Sequence, residues 1–358
     1  MSAAKNNFQE IPVIDLALAD DPASLPTLLS SLRVALTEVG FLYVSNHKVP
    51  THVIHKLVAI LPRLFELSDS AKNAIALENS KHFLGYSKAG TEITAQKPDE
   101  REQIEFATEL AAVTDADAPL SESLRGPNQW PAELPELRPI VEEYIAELTL
   151  LGERFLTLVA QALNLPKKTF HPFLSDQHRL KVVRYPAVAP DSDIVQGVGP
   201  HKDSSGWWTF LLQASLPHIK GLQVLNKTGD WIDVPVLPDT LVVNVGQAFE
   251  VVTHGICKAT THRVLSSRDE RFSVPFFQGV RRDLTKREAL ETLRDHFSSF
   301  GQDIGLESDE GQAVDSPFLR GKYDTWGESQ LRTKIRSHRA NGRKFYPQVY
   351  KKYIDDDT

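Results

Sequence analysis

Arg271-Phe272-Ser273-Val274-Pro275-Phe276-Phe277 reads as one strand, almost wholly apolar apart from a polar pair two residues apart. In extended chain, side chains two apart share a face, so Arg271 and Ser273 project together. Four similar β-rich runs precede it, at Lys181–Tyr185, Trp207–Gln213, Gly221–Leu225 and Asp239–Val245, separated by Pro and Gly turns. Short strands at that spacing predict a sandwich or barrel beginning near Leu180.

Helices flank this core. Upstream, Ile11–Asp15 reads as a short strand. Leu25, Leu28, Leu29, Leu32, Leu36 and Val39 then fall at helical spacing, with Gly40 in the C-cap position. Phe41–Val44 is a buried-strand candidate, and a second amphipathic helix runs from about Thr51 to Leu67. Asn79 to Asn128 is irregular and polar. A longer helix follows, with Leu137, Val141, Tyr144, Leu148, Leu151, Phe155 and Leu158 on one stripe, closed by Leu165-Pro166. After Arg281 a helix is predicted at Lys286–Phe297, then an acidic loop with Glu307, Asp309 and Glu310, then a basic segment from Gln330 to Ile354. The fold class is mainly β with flanking helices.

Composition narrows the function classes. Of the 358 residues, 41% are hydrophobic, enough for a large core. The formal net charge of −7 opposes attraction to nucleic acid or anionic lipid, so neither is an expected partner. Cys257 is the only cysteine, which rules out an internal disulfide and a cysteine-based zinc site and fits a reducing compartment. Met1 to Ile11 has no apolar signal region, and no stretch is long enough to span a membrane. A cytoplasmic enzyme acting on a small molecule is expected, with its oligomeric state open.

The chemistry lies in His201-Lys202-Asp203 and His262. His201 and Asp203 share one face of an extended segment while Lys202 faces away, and a third ligand from a distant strand completes a facial set. Two imidazoles and one carboxylate leave three positions open, the environment of a non-haem Fe(II) that must also bind a cosubstrate and oxygen. A lone His-x-Asp is common on loops, so the residues that follow decide the matter. Arg271 and Ser273 lie nine and eleven residues beyond His262 and form a natural carboxylate clamp. Tyr185 can donate a hydrogen bond to the same carboxylate. His254 competes with His262 as third ligand, but it sits in a turn-like Thr-His-Gly, and His218 sits beside Pro217 in a loop.

These residues, together with Gly221-Leu222-Gln223-Val224, Asn244-Val245-Gly246 and Thr261-His262-Arg263-Val264, resemble the isopenicillin N synthase-like family of iron(II)/2-oxoglutarate-dependent oxygenases. Ile11–Leu16 and Gly40–His47 look like that family's N-terminal region. Gly85-Tyr86, Thr91–Ala95, Lys97-Pro98-Asp99 and Glu105-Phe106 look like its fungal and microbial members, ethylene-forming relatives included. The resemblance runs from Ile11 to Val280 and implies a double-stranded β-helix (jelly-roll) core. It further implies iron held by His201, Asp203 and His262, and 2-oxoglutarate held by Arg271 and Ser273 with Tyr185 in support. The implied reaction oxidises an unactivated C–H, by hydroxylation or desaturation, as 2-oxoglutarate and O2 become succinate and CO2. Where many plant members have asparagine two residues before the tyrosine, this chain has Val183, with Arg184 beside Tyr185. The resulting division is 1–125 for the N-terminal α/β region, 126–179 for the long helix packing on the core, 180–282 for the Fe(II)/2-oxoglutarate jelly-roll core and 283–358 for a helical C-terminal extension.

Trp207, Trp208, Phe277, Arg184 and Phe83 are candidates for the substrate pocket, with Glu105 beside them; aromatics in a β-core are more often packing. The basic tail, with Arg332, Lys334, Arg336, Arg339, Arg343 and Lys344, reads as a solvated helix face covering the core. Two alternatives to the 2-oxoglutarate reading remain. One is an isopenicillin N synthase-like oxidase that uses its Arg-x-Ser for the substrate's own carboxylate. The other is a non-catalytic ligand-binding protein on the same scaffold, which need not keep three metal ligands.

Overall fold

The computed structural model describes residues 7–94, 97–189, 196–204, 206–303, 314 and 316–355; Ala95, Glu307, Asp309 and Glu310 lie outside them. The strands in chain order are β1 (Val13–Asp15), β2 (Phe41–Ser45), β3 (Gly85–Ser87), β4 (Ile93–Thr94), β5 (Lys97–Pro98), β6 (Glu102–Ala107) and β7 (Arg179–Tyr185). There follow β8 (Gln196–His201), β9 (Trp208–Gln213), β10 (Leu222–Leu225), β11 (Trp231–Asp233), β12 (Thr240–Val245), β13 (His262–Leu265) and β14 (Arg271–Phe277).

An eight-stranded sheet has the order β1-β2-β12-β9-β14-β7-β6-β3, and a four-stranded sheet the order β11-β10-β13-β8. Only β1 pairs parallel to its neighbour in the larger sheet; the other pairings are antiparallel. Phe41, Tyr43 and Val183 from the large sheet meet Val198, Val224 and Val264 from the small one, so the two pack face to face. This is the double-stranded β-helix. Strands from the first 125 residues complete it, because β2 pairs with β12 and β6 with β7.

Helices cover the other face of the large sheet. α1 (Leu25–Val34), α2 (Thr51–Phe65) and the 26-residue α4 (Leu137–Ala162) bury their apolar stripes there, while the short α3 (Asp69–Ala74) precedes β3. Phe155 of α4 meets Trp208 and Phe210 of β9 edge-on, at 5.0 and 5.6 Å between ring centroids. Each such buried aromatic contributes about 1.5–3 kcal/mol of hydrophobic stabilisation. Among the described residues, no helix is long and apolar enough to cross a membrane.

Three sequence expectations change. The first predicted helix leaves α geometry at Val34 and continues as a wider π turn, Ala35–Val39, before Gly40 closes it at φ +72°. The segment 79–128 is less irregular than its polarity suggests, since it holds β3 and the fully buried β6. The tail does more than cover the core. After α5 (Gln247–Val252), α6 (Lys286–Glu291) and α7 (Arg294–Asp303), the chain forms α8 (Pro317–Arg320), α9 (Trp326–Ser337), α10 (Arg339–Phe345) and α11 (Pro347–Ile354). Leu331, Ile335, Tyr346 and Tyr353 of this group pack on Leu77, Phe83 and Leu124 in a core of their own.

Candidate metal and cosubstrate site

The register of β8 and β13 sets His201 directly opposite His262, with ring centroids 4.2 Å apart. Asp203 follows β8, and its Oδ1 lies 3.6 Å from the Nε2 of each histidine. One ligand atom from each of the three lies within 4.8 Å of the others. The remaining polar atoms are already committed. His201 Nδ1 donates to the Gly199 carbonyl at 2.8 Å and His262 Nδ1 to the Thr260 carbonyl at 3.2 Å. Carbonyls only accept, so both rings carry the proton on Nδ1 and turn a lone pair on Nε2 inward. Asp203 Oδ2 accepts from the Thr209 hydroxyl at 2.6 Å and the Asn244 amide at 2.7 Å, leaving Oδ1 free.

Electrostatics agree with that donor set. Burial, reinforced by His262, pushes His201 down to about 4, so the ring is neutral at ordinary pH. Burial works against the Asp203 carboxylate, but the two imidazoles, Thr209 and Asn244 outweigh it and hold its carboxyl below the usual range. Two imidazoles and one carboxylate fit a divalent iron. His254, the competing histidine, sits at φ +52° just after α5 and outside the cluster, and His218 is an exposed loop residue.

The same cavity, about 350 Å³, continues from the triad to Arg271 and Ser273. Arg271 is opposite Tyr185 across β14 and β7, with its guanidinium carbon 5.0 Å from the tyrosine ring centre. It is only 1% exposed, its Nε and Nη1 have no hydrogen-bond partner, and Nη2 reaches Gln213 at a long 3.4 Å. Burial pushes this guanidinium below its usual range. A buried, underbonded guanidinium is costly unless an anion meets it. Ser273, buried and next on the same face, offers a hydroxyl to that anion.

The other sequence candidates separate by strand face. Phe277 shares the face of Arg271, Ser273 and Pro275 and lines the cavity. Trp208 neighbours Thr209 in sequence and so points the other way; both Trp207 and Trp208 are fully buried against Phe249. They are core residues, not pocket residues. Arg184 also faces away, pairing with Glu270 at 2.6 Å and Glu102 at 2.8 Å. Phe83 is fully buried and stacks on Tyr346 at 5.6 Å, outside the cavity. Glu105 does line it, with Glu92, Arg101, Arg179, Lys181 and Lys334, none of which spacing alone had singled out. A larger hollow, about 940 Å³, lies by α2 behind Phe272 and contains none of the triad.

Residues 177–280 match the model of the 2OG-Fe(II) oxygenase superfamily, and residues 11–133 match that of the non-haem dioxygenase in morphine synthesis N-terminal region. A 2-oxoglutarate-dependent dioxygenase of Dothideomycetidae sp. is 40% identical over 96% of this chain and 94% of its own length. The chain belongs to the 2OG-Fe(II) oxygenase superfamily. It is a non-haem iron enzyme that uses Fe(II), 2-oxoglutarate and O2. A homoarginine-6-hydroxylase of Glycine max is 31% identical over 80% of this chain and 90% of its own length. In fold, the chain is similar to a full-length Neurospora crassa protein crystallised in complex with alpha-KG and thymine, with a TM-score of 0.68, 20% identity, and coverage of 90% of this chain and 96% of that one.

Proposed function

We propose that His201, Asp203 and His262 hold the iron, and that Arg271 and Ser273, supported by Tyr185, hold the distal carboxylate of 2-oxoglutarate. The enzyme oxidises an unactivated C–H of a small polar molecule, by hydroxylation or desaturation. The observation that carries this reading is the convergence of two Nε2 atoms on Asp203 Oδ1 in the cavity that also holds the underbonded Arg271. When bound, iron with 2-oxoglutarate and O2 supplies oxidative decarboxylation to succinate and CO2 and removal of hydrogen from the substrate.

The chain's own work is positional. Gly199 and Thr260 fix the tautomers of the two histidines. Thr209 and Asn244 keep Asp203 ionised and oriented. Phe41 stands edge-on to His262 at 5.2 Å, and Leu211 and Val264 add apolar lining to the same cavity, disfavouring water there. No general base is required, since the cofactor carries the hard chemistry. A substrate the size of an amino acid suits a cavity of about 350 Å³ with many polar lining groups, and the homoarginine-6-hydroxylase relative acts on such a molecule. The lone cysteine, Cys257, is buried, with its thiol pushed up to about 12 by burial. That inert thiol suits the reducing cytoplasm.

The test is anaerobic titration. Apoprotein given Fe(II) and then 2-oxoglutarate should develop the weak visible charge-transfer band of a chelated keto acid. Arg271→Ala should still bind iron but need about 10–100-fold more 2-oxoglutarate, the loss of one charged hydrogen-bonding partner. Iron bound without a band, or an unchanged requirement in Arg271→Ala, would remove the clamp assignment.

A further inference from the structure

Helix α9 is capped at its start by Thr325, whose hydroxyl accepts from the Glu328 N–H. Its first turn lies so close to the end of the jelly roll that a Cβ on Gly327 would sit 2.9 Å from the Arg282 carbonyl oxygen. Leu331 and Ile335 bury one side of the helix. The other side carries Gln330, Thr333, Lys334 and Ser337, the i, i+3, i+4, i+7 pattern of a single face, and all four line the catalytic cavity. The Gln330 amide donates to the Ser204 carbonyl at 2.7 Å, tying the helix to the residue after Asp203. Lys334 Nζ donates to both Glu105 oxygens at 2.6 and 2.7 Å, and Arg179 reaches the same carboxylate at 2.6 Å. The C-terminal extension is thus a wall of the site.

That wall is electrically unbalanced. Four cations, Arg101, Arg179, Lys181 and Lys334, line this part of the cavity. Among the described residues, three carboxylates pair with them: Glu92, Asp99 and Glu105. Elsewhere the charges close, since Lys202 has Glu250, while Asp203, Arg271, Fe(II) and dianionic 2-oxoglutarate are together neutral. Among the described residues one positive charge therefore remains in this part of the cavity, which is unfavourable unless a ligand answers it. Both terminal nitrogens of Arg179 are taken up by Glu105 and the carbonyls of His82, Phe83 and Leu124. Lys181 reaches Glu92 only at 3.3 Å, and Lys334 has a third donor beyond its two bonds to Glu105. Burial pushes the Lys334 ammonium down to about 8 although Glu105 pulls the other way, and Arg179 and Lys181 add repulsion.

We propose that the substrate carries an anionic group, a carboxylate or similar oxyanion, seated between Lys181 and Lys334, so that the C-terminal helix selects the substrate. This rests on 2-oxoglutarate occupying the Arg271 end of the cavity. The two anion sites are distinct, because Lys181 lies four residues from Tyr185 along β7, about 13 Å.

The experiment uses the Fe(II) enzyme held anaerobically with saturating 2-oxoglutarate. It is titrated calorimetrically with hexanoate and benzoate, and with hexanamide and benzamide as neutral matches, while the charge-transfer band is followed. Each acid should bind at least tenfold more tightly than its amide. The preference should shrink to within twofold in Lys334→Met and in Lys181→Gln and return in Lys334→Arg, with the band reporting that each variant is folded. Equal binding of acid and amide, no binding of either acid, a preference that survives both variants, or bleaching of the band by the acid overturns the proposal. A wild-type enzyme that binds iron but shows no band overturns the cosubstrate reading instead. The acid–amide comparison on the Fe(II) form then still decides the anion site.

Discussion

Asp203 divides its two oxygens between two tasks. Oδ2 is held by Thr209 and Asn244, and that hold aims Oδ1 at the imidazoles. Asn244→Ala removes one of the two donors without touching a ligand, so Fe(II) affinity should fall about 10–100-fold, as is usual when such outer partners are lost. An Fe(II) titration that matches wild type would show the amide to be idle. The triad was legible in the sequence because spacing alone brings His201 and Asp203 to one face, and Arg271 with Ser273 marks His262 as the partner. Thr209 was not legible, since nothing in Trp207–Gln213 says which side of the strand meets Asp203. The same ignorance of strand face produced the error at Trp208. Once Thr209 points to Asp203, its neighbour must point into the helical core. Phe277 does line the cavity, because it keeps the parity of Arg271 and Ser273.

At the scale of elements, the approach to β13 depends on a glycine. Gly40 ends the π turn at φ +72°, and a Cβ there would lie 2.1 Å from the Lys258 carbonyl oxygen and 2.5 Å from Thr260 Oγ1. Thr260 donates its hydroxyl to the Val39 carbonyl at 2.6 Å, and its own carbonyl orients His262. Gly40→Ala adds both left-handed backbone strain and a steric clash, so a loss of roughly 2–4 kcal/mol is expected in urea unfolding, with weaker iron retention. A variant with wild-type stability would mean that this close approach is not maintained in solution. The sequence placed Gly40 correctly as a helix terminator, but its second role, against a loop over two hundred residues away, carries no local signal. β6 was missed for a related reason. Gln103 and Glu105 look like surface residues, yet both are buried, and Glu105 is neutralised by Lys334 from the far end of the chain.

The whole molecule should be acid-sensitive through two buried histidines. His178 accepts from the Gly279 N–H at 3.0 Å, and burial pushes it down to about 4. Burial does the same to His338, also to about 4. In the unfolded chain both titrate near 6.5. Between pH 6.5 and 4 the unfolded chain binds protons that the folded one refuses, so stability falls as pH drops through that window. The limit is about 3 kcal/mol per histidine, at 1.36 kcal/mol per pKa unit. The urea midpoint should therefore fall from pH 6.5 to 4.5, and His178→Gln should flatten that slope. An equally steep slope in the variant would assign the acid sensitivity to other groups. Chain order adds one more consequence. The residues assigned to metal and cosubstrate are all synthesised by Ser273, whereas the cavity face of α9 arrives more than fifty residues later. A jelly roll that folds before that face arrives would offer the proposed iron ligands while still lacking the proposed substrate wall. Chains cut short before Trp326 would then keep the means to burn 2-oxoglutarate while losing much of their power to choose what is oxidised.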